Sequence, residues 1–78
     1  MVYIEIPFTA ENNRVSKTIA ENEIQILDIS NEAKAEVFEA IYHRRPNGVS
    51  FEDKEIEQVV LLENLLRRLG IPYRQVKD

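Results

Sequence analysis

Residues 51–69 read FEDKEIEQVVLLENLLRRL, and this stretch decides the fold because its apolar residues recur at helical spacing. At about 100° per residue, one stripe is formed by Val59, Leu62, Leu66 and Leu69. Four further apolar residues widen that stripe on both sides, namely Ile56, Val60, Leu61 and Leu65. A helix lying on one sheet needs about 100° of apolar arc, and this helix carries roughly twice that. We therefore expect a second helix, a second copy of the chain or a partner to cover the excess.

The first half of the chain shows the two-residue alternation that is typical of half-buried strands. Val2, Ile4 and Ile6 alternate with polar residues, and a weaker alternation follows beyond the first turn. The pattern predicts three strands, at residues 2–8, 14–20 and 24–29, with a tight turn at 21–23 between the last two. The apolar parity changes within the third segment, which indicates either a strand covered on both faces or a β-bulge.

The second half predicts two helices and a last strand. Ser30 or Asn31 is suited to cap the first helix, and the sequence Pro-Asn-Gly at 46–48 is suited to end it. Ser50 with Asp53 resembles a capping box for the second helix, and Gly70 stands where a left-handed C-cap belongs. A short strand at 71–76 follows.

This order, β-β-β-α-α-β, predicts the fold class. Strand direction alternates through the meander, and an antiparallel helix pair would return the chain for the fourth strand. We expect an α+β, two-layer fold, with a four-stranded antiparallel sheet and a helical hairpin on one face. The 78 residues are predicted to form a single domain spanning residues 1–78.

Composition narrows the classes of function. The chain has no cysteine, which excludes disulfides and thiolate metal sites and fits a reducing cytoplasmic location. A net charge of −4 repels polyanions at long range, which argues against nonspecific binding to nucleic acid or to anionic membranes. The amino-terminal residues have no basic segment followed by a long apolar run, so we expect neither a signal peptide nor a membrane span.

The only histidine lies near two glutamates on the outer face of the first predicted helix. Glu36, Glu39 and His43 have a spacing at which carboxylates and an imidazole can bind a divalent metal. A solvated acidic stripe, with His43 near the helix C-terminus, explains the same residues without a metal. Neither a nucleophile–base pair nor a phosphate loop is present in the sequence. We therefore expect no metal, no cofactor and no enzymatic activity.

Arginines occur in pairs near the ends of both predicted helices. In an antiparallel helical hairpin, the pair at 44–45 and the pair at 67–68 would lie at opposite poles. Such a distribution gives no continuous basic surface for nucleic acid. This distribution disfavours a nucleic-acid-associated regulator that uses Arg44, Arg45 and Arg74, and such a regulator is the alternative interpretation.

The leading interpretation is a noncatalytic protein–protein interaction module of adaptor or inhibitor type that also self-associates. An origin in a phage or mobile element would fit the small size and acidity. The predicted contact residues on the sheet face opposite the helices are Tyr3, Glu5 and Tyr73, with Ser16 and Thr18 beside them. The predicted self-association surface on the second helix comprises Ile56, Val60, Leu61 and Leu65.

Overall fold

The computed structural model describes residues 1–7 and 14–77, and these form an α+β fold. In chain order the elements are β1 (Val2–Ile6), α1 (Lys17–Gln25), α2 (Asn31–Ile41), β2 (Asn47–Phe51), a 3₁₀ turn (Asp53–Glu55), α3 (Ile56–Leu69) and β3 (Arg74–Lys77). The α+β class and the antiparallel sheet are confirmed, but the four strands are wrong. The described part contains a three-stranded sheet of order β2-β1-β3 and three helices.

Strand β1 lies at the centre of the sheet and pairs antiparallel with both neighbours. Its predicted alternation is confirmed, because Val2, Ile4 and Ile6 are all buried. Ile4 stands opposite Val49 of β2 on one side and opposite Gln75 of β3 on the other. The predicted strand also included Phe8, which lies outside the described residues.

The predicted second and third strands are replaced by helix α1 and a loop. The Ser16 side chain accepts a hydrogen bond from the backbone N–H of Ile19 at 3.5 Å, which caps the helix. Ala20 and Ile24 are buried and lie four residues apart, as on one face of a helix. Helical burial thus outweighs the weak alternation at 14–20. The change of apolar parity at 24–29 marks the end of α1 rather than a bulge.

The predicted helical hairpin is also wrong, because strand β2 separates the two helices. Helix α2 begins after Ser30, whose side chain accepts a hydrogen bond from Ala33 N–H at 3.2 Å, as one of the two predicted caps requires. Beyond α2, Val49 and Phe51 are buried while Ser50 is exposed, which is strand alternation. Ser50 therefore caps no helix. A capping box instead links Glu52 and Glu55 ahead of α3.

Helices α2 and α3 run in the same direction. The Ser30 backbone N–H, at the start of α2, donates to Oε1 of Gln58 at the start of α3, 3.0 Å away. At the other end of the molecule, Arg68 and Leu69 near the end of α3 share a cleft with Ser16 and Ile19 at the start of α1. Helix α1 is therefore antiparallel to both other helices.

Helix α3 ends as predicted at Gly70, which adopts φ 70° in the left-handed region. The last strand begins at Arg74, three residues later than predicted, and extends to Lys77. In the described part of the chain, no helix combines the length and the apolar character that crossing a membrane requires.

Candidate interaction surfaces

The sheet face opposite the helices carries two of the predicted contact residues. Tyr3 and Glu5 alternate with the buried residues of β1 and point away from the core. The strand register places Tyr3 beside Ser50 and Val76, and it places Glu5 beside Gly48 and Arg74. We call this set the outer sheet face, and it consists of Tyr3, Glu5, Gly48, Ser50, Arg74 and Val76.

The Tyr3 ring lies directly over Gly48. A Cβ atom built at Gly48 would overlap the tyrosine ring, so the glycine leaves the space that the ring occupies. Aromatic side chains commonly cover glycines of a neighbouring strand in this way. Tyr3 is nevertheless 38% exposed. The structure thus presents a partly exposed aromatic ring that rests against the sheet instead of projecting freely into solvent.

An ion pair lies next to this ring. Nη2 of Arg74 is 2.7 Å from Oε2 of Glu5, across the β1–β3 pair. Both side chains are exposed, so the pair contributes well under about 1 kcal/mol to folding. Its charges remain accessible to a partner.

Three residues expected on this face lie elsewhere. Ser16 and Thr18 belong to the beginning of α1, because residues 17–25 are helical. Tyr73 precedes β3 and packs against the hydrophobic core, with the guanidinium carbon of Arg67 5.9 Å from its ring centroid. Tyr73 therefore faces the helix layer, as the apolar Ile71 of the same parity does.

The four apolar residues expected on the self-association surface of α3 do not form one patch. Leu65 is completely buried within the chain and offers no contact surface. Ile56, Val60 and Leu61 are 46%, 48% and 37% exposed. Ile56 and Val60 lie one turn apart on one margin of α3, whereas Leu61 lies on the opposite margin, about 100° around the helix. The exposed apolar residues of α3 are thus the neighbouring pair Ile56 and Val60 and the separate Leu61.

The arginines are not at opposite poles, which corrects the expectation based on a helical hairpin. Because α2 and α3 run in the same direction, both of their C-terminal ends lie at the same end of the molecule. Strand β3 starts at that end, and so does α1. All six arginines of the chain consequently lie there, and we call this region the arginine end; they are Arg14, Arg44, Arg45, Arg67, Arg68 and Arg74.

Several arginines at this end already have partners within the chain. Arg45 lies 3.7 Å from Glu39, and Arg68 lies 3.2 Å from Glu23. Arg44 adopts a positive φ of 57° and donates from Nη2 to the backbone carbonyl of Val15 at 3.1 Å. This hydrogen bond ties the loop after α2 to the segment before α1. Arg44 thus has a structural role, and among the three arginines of the nucleic-acid alternative, Arg45 and Arg74 are the exposed ones.

A cleft of about 360 Å³ opens at the arginine end. Its polar lining residues are Arg14, Ser16 and Arg68. Its apolar lining residues include Ile19, which is 53% exposed, and Leu69. The sequence interpretation missed Arg14, since its position beside Arg68 depends on α1 being a helix. The four-residue spacing of the apolar residues Ala20 and Ile24, which is typical of one face of a helix, was the feature of the sequence that indicated this helix.

The lysines are distributed differently. Lys17 lies at the arginine end, where Nζ is 5.4 Å from the Tyr42 ring centroid, but Lys34, Lys54 and Lys77 lie towards the opposite end. At that opposite end the Met1 ammonium is 2.8 Å from Oδ1 of Asp53. Its hydrogen bond and positive charge lower the pKa of the fully exposed Asp53 carboxyl.

The glutamates considered as metal ligands have other contacts. Oε2 of Glu36 accepts a hydrogen bond from Nδ2 of Asn47 at 2.7 Å, and Glu39 faces Arg45. The His43 ring packs edge-on against Tyr42. Within residues 1–7 and 14–77, no group of three or more potential ligands is arranged to hold a metal ion.

Comparison of the chain with family models, with curated proteins and with solved structures gave no match.

Proposed function

We propose that this chain is a small, noncatalytic protein-binding module of adaptor or inhibitor type, acting in the cytoplasm. The observation that carries the proposal is the outer sheet face, where the described helices leave Tyr3 accessible and where its ring lies against Gly48. Tyrosine is enriched at protein interfaces because it combines a large rigid ring with a polar tip. The neighbouring Glu5–Arg74 pair supplies charges of both signs at the rim.

The mixed character of this face favours a polypeptide partner. An aromatic ring, an exposed serine and an ion pair together resemble a non-obligate interface, in which apolar and polar area are mixed. Because Tyr3 is already positioned in the free chain, less conformational entropy is lost when it is buried by a partner.

Affinity capture from the native host tests this proposal. The wild-type chain should retain a partner that Tyr3→Ala loses, with binding weakened by about 1–3 kcal/mol. The matched control is Ile26→Ala, which removes another exposed apolar side chain, 78% exposed, on the loop after α1. Retention of the same partner by Tyr3→Ala, or its equal loss with Ile26→Ala, would contradict the proposal.

Self-association is the second part of the proposal, and fewer residues support it than the sequence indicated. It is supported by Ile56 and Val60, which are adjacent and about half exposed on one margin of α3. Leu65 no longer contributes, because the chain buries it.

A nucleic-acid-associated role for Arg44, Arg45 and Arg74 is the second candidate. The gathering of the arginines at one end favours it, since nucleic-acid binding requires converging cations. We rank it lower because the whole chain carries a net charge of −4 and because Arg74 and Arg45 lie beside carboxylates.

A further inference from the structure

We propose that the arginine end, which shares Arg74 with the outer sheet face, holds a second binding site, and that its ligand is an acidic polypeptide segment with interspersed apolar residues. The centre of the site is the cleft that Arg14 and Arg68 line with Ile19 and Leu69. Carboxylates would bind the guanidinium groups, and an apolar side chain would occupy the neighbouring part of the cleft.

Several guanidinium groups at the arginine end are still able to bind a carboxylate. Arg68 has one partner, Glu23, and its side chain is still 61% exposed. Among the residues that the structure describes, Arg14 and Arg67 have no carboxylate within ion-pair distance. The exposed Arg67 side chain instead has its guanidinium carbon 5.9 Å from the Tyr73 ring centroid and donates from Nη1 to the neutral Oδ1 of Asn64 at 3.5 Å. A carboxylate ligand would therefore add contacts without first displacing an internal ion pair at Arg14 or Arg67.

The type of cation also indicates the ligand. Six of the seven cations at this end are arginine, and the exception is Lys17. Guanidinium groups bind carboxylates through two parallel hydrogen bonds, and arginine is enriched in protein interfaces whereas lysine is depleted. The exposed Ile19 and the half-buried Leu69 supply the apolar area that such interfaces contain.

An acidic polypeptide fits these features better than nucleic acid does. The carboxylates Glu5, Glu23 and Glu39 are interspersed among the arginines and would repel a continuous phosphate backbone. The net charge of −4 opposes long-range attraction of any polyanion, so binding must come from close contacts in the cleft. A short acidic segment that also inserts an apolar side chain meets that requirement.

The test uses the full chain and three labelled probes at about 150 mM salt. The probes are a short peptide repeating Glu-Glu-Leu, a peptide repeating Lys-Lys-Leu and a single-stranded oligothymidylate. We expect saturable binding of the acidic peptide, with amide chemical-shift changes at Ser16, Ile19 and Gly70. The basic peptide should not bind at these amides, and oligothymidylate should bind more weakly than the acidic peptide.

Two double variants with the same change in net charge identify the site. Arg14→Ala with Arg68→Ala should weaken binding of the acidic peptide about tenfold. Lys34→Ala with Lys54→Ala, at the opposite end, should weaken it less than about twofold. Unchanged circular dichroism and melting of both variants would show that folding is intact. The single variant Arg14→Ala provides a further test if the double variant unfolds, because Arg14 makes no ion pair with the described residues.

Three results would overturn the proposal. These are an absence of saturable binding by the acidic peptide, equal weakening by the two double variants, and tighter binding of oligothymidylate at the same amides. The last result would assign the arginine end to nucleic acid.

Discussion

At the residue scale, Tyr3 and Gly48 act as one unit. The Tyr3 ring occupies the space that a side chain at Gly48 would need. Gly48→Ala should therefore displace the ring, and it should cost at most about 1 kcal/mol of unfolding free energy because the contacting atoms are the far end of a partly exposed side chain that can turn aside. Tyr3→Ala should cost less than about 1 kcal/mol, because the ring is on the outer sheet face and partly exposed.

Combining the two substitutions tests whether they are coupled. Once the ring has been removed, alanine at position 48 meets no obstacle and has a better strand propensity than glycine. The double variant should thus be more stable than Gly48→Ala alone, with a coupling energy of about 1 kcal/mol. Urea unfolding of the four chains measures it, and strictly additive effects would show that the ring does not rest on the glycine.

Leu61 and Leu65 are four residues apart on α3, but they differ strongly in burial. Leu65 is completely buried and Leu61 is 37% exposed. Leu65→Ala should cost about 2–5 kcal/mol because it removes a side chain from the core and leaves a cavity. Leu61→Ala should cost less than about 1 kcal/mol. Thermal or urea unfolding of the two variants decides this, and similar losses would place both leucines in the same environment.

At the element scale, the predictable parts are those in which local pattern and tertiary environment agree. The alternation of β1, the serine cap of α2 and the left-handed Gly70 after α3 were all readable from the residues. Each depends on neighbours within a few positions of the chain.

The elements that were missed depend on contacts distant in sequence. Polar residues at 21–23 resembled a turn, yet they lie within α1, where Asn22 is exposed and where Ala20 and Ile24 are buried against the rest of the fold. Gly48 resembled a helix terminator, but it lies within β2, where the ring of Tyr3, which is remote in the sequence, covers it. The direction of α3, and with it the arginine end, could not be predicted until β2 was recognised.

Two serines provide a test of these assignments. Ser30 caps α2 through Ala33 N–H, whereas Ser50 lies exposed on β2 and caps nothing. Ser30→Ala should lower the unfolding free energy by about 1 kcal/mol. Ser50→Ala should change it by less than about 0.5 kcal/mol. Chemical unfolding measures both, and a larger loss at Ser50 than at Ser30 would restore the predicted cap of α3.

At the scale of the whole molecule, the two edges of the sheet differ in charge. The short strand β3 carries Arg74 and Lys77, and cations on an edge oppose pairing with another strand. Strand β2, at the other edge, has no charged side chain. An antiparallel pair of two β3 strands would bring Arg74 and Lys77 of one copy close to the same cations of the second copy. Edge-to-edge pairing through β3 is therefore unfavourable, which leaves the uncharged edge strand β2 and the exposed margin of α3 as candidates for self-association.

Self-association through that margin can be tested with one substitution. Light scattering at micromolar concentration should show a dimer that dissociates on dilution. Val60→Glu should convert it to a monomer without unfolding it, because Val60 is 48% exposed and a carboxylate there stays hydrated in the free chain. In the dimer the same carboxylate would lose water without gaining a partner. Ile26→Glu adds the same charge at a residue 78% exposed and should leave the dimer intact. A monomeric mass for the unmodified chain would mean that Ile56 and Val60 are ordinary exposed residues, and the excess apolar arc of α3 would then require no partner.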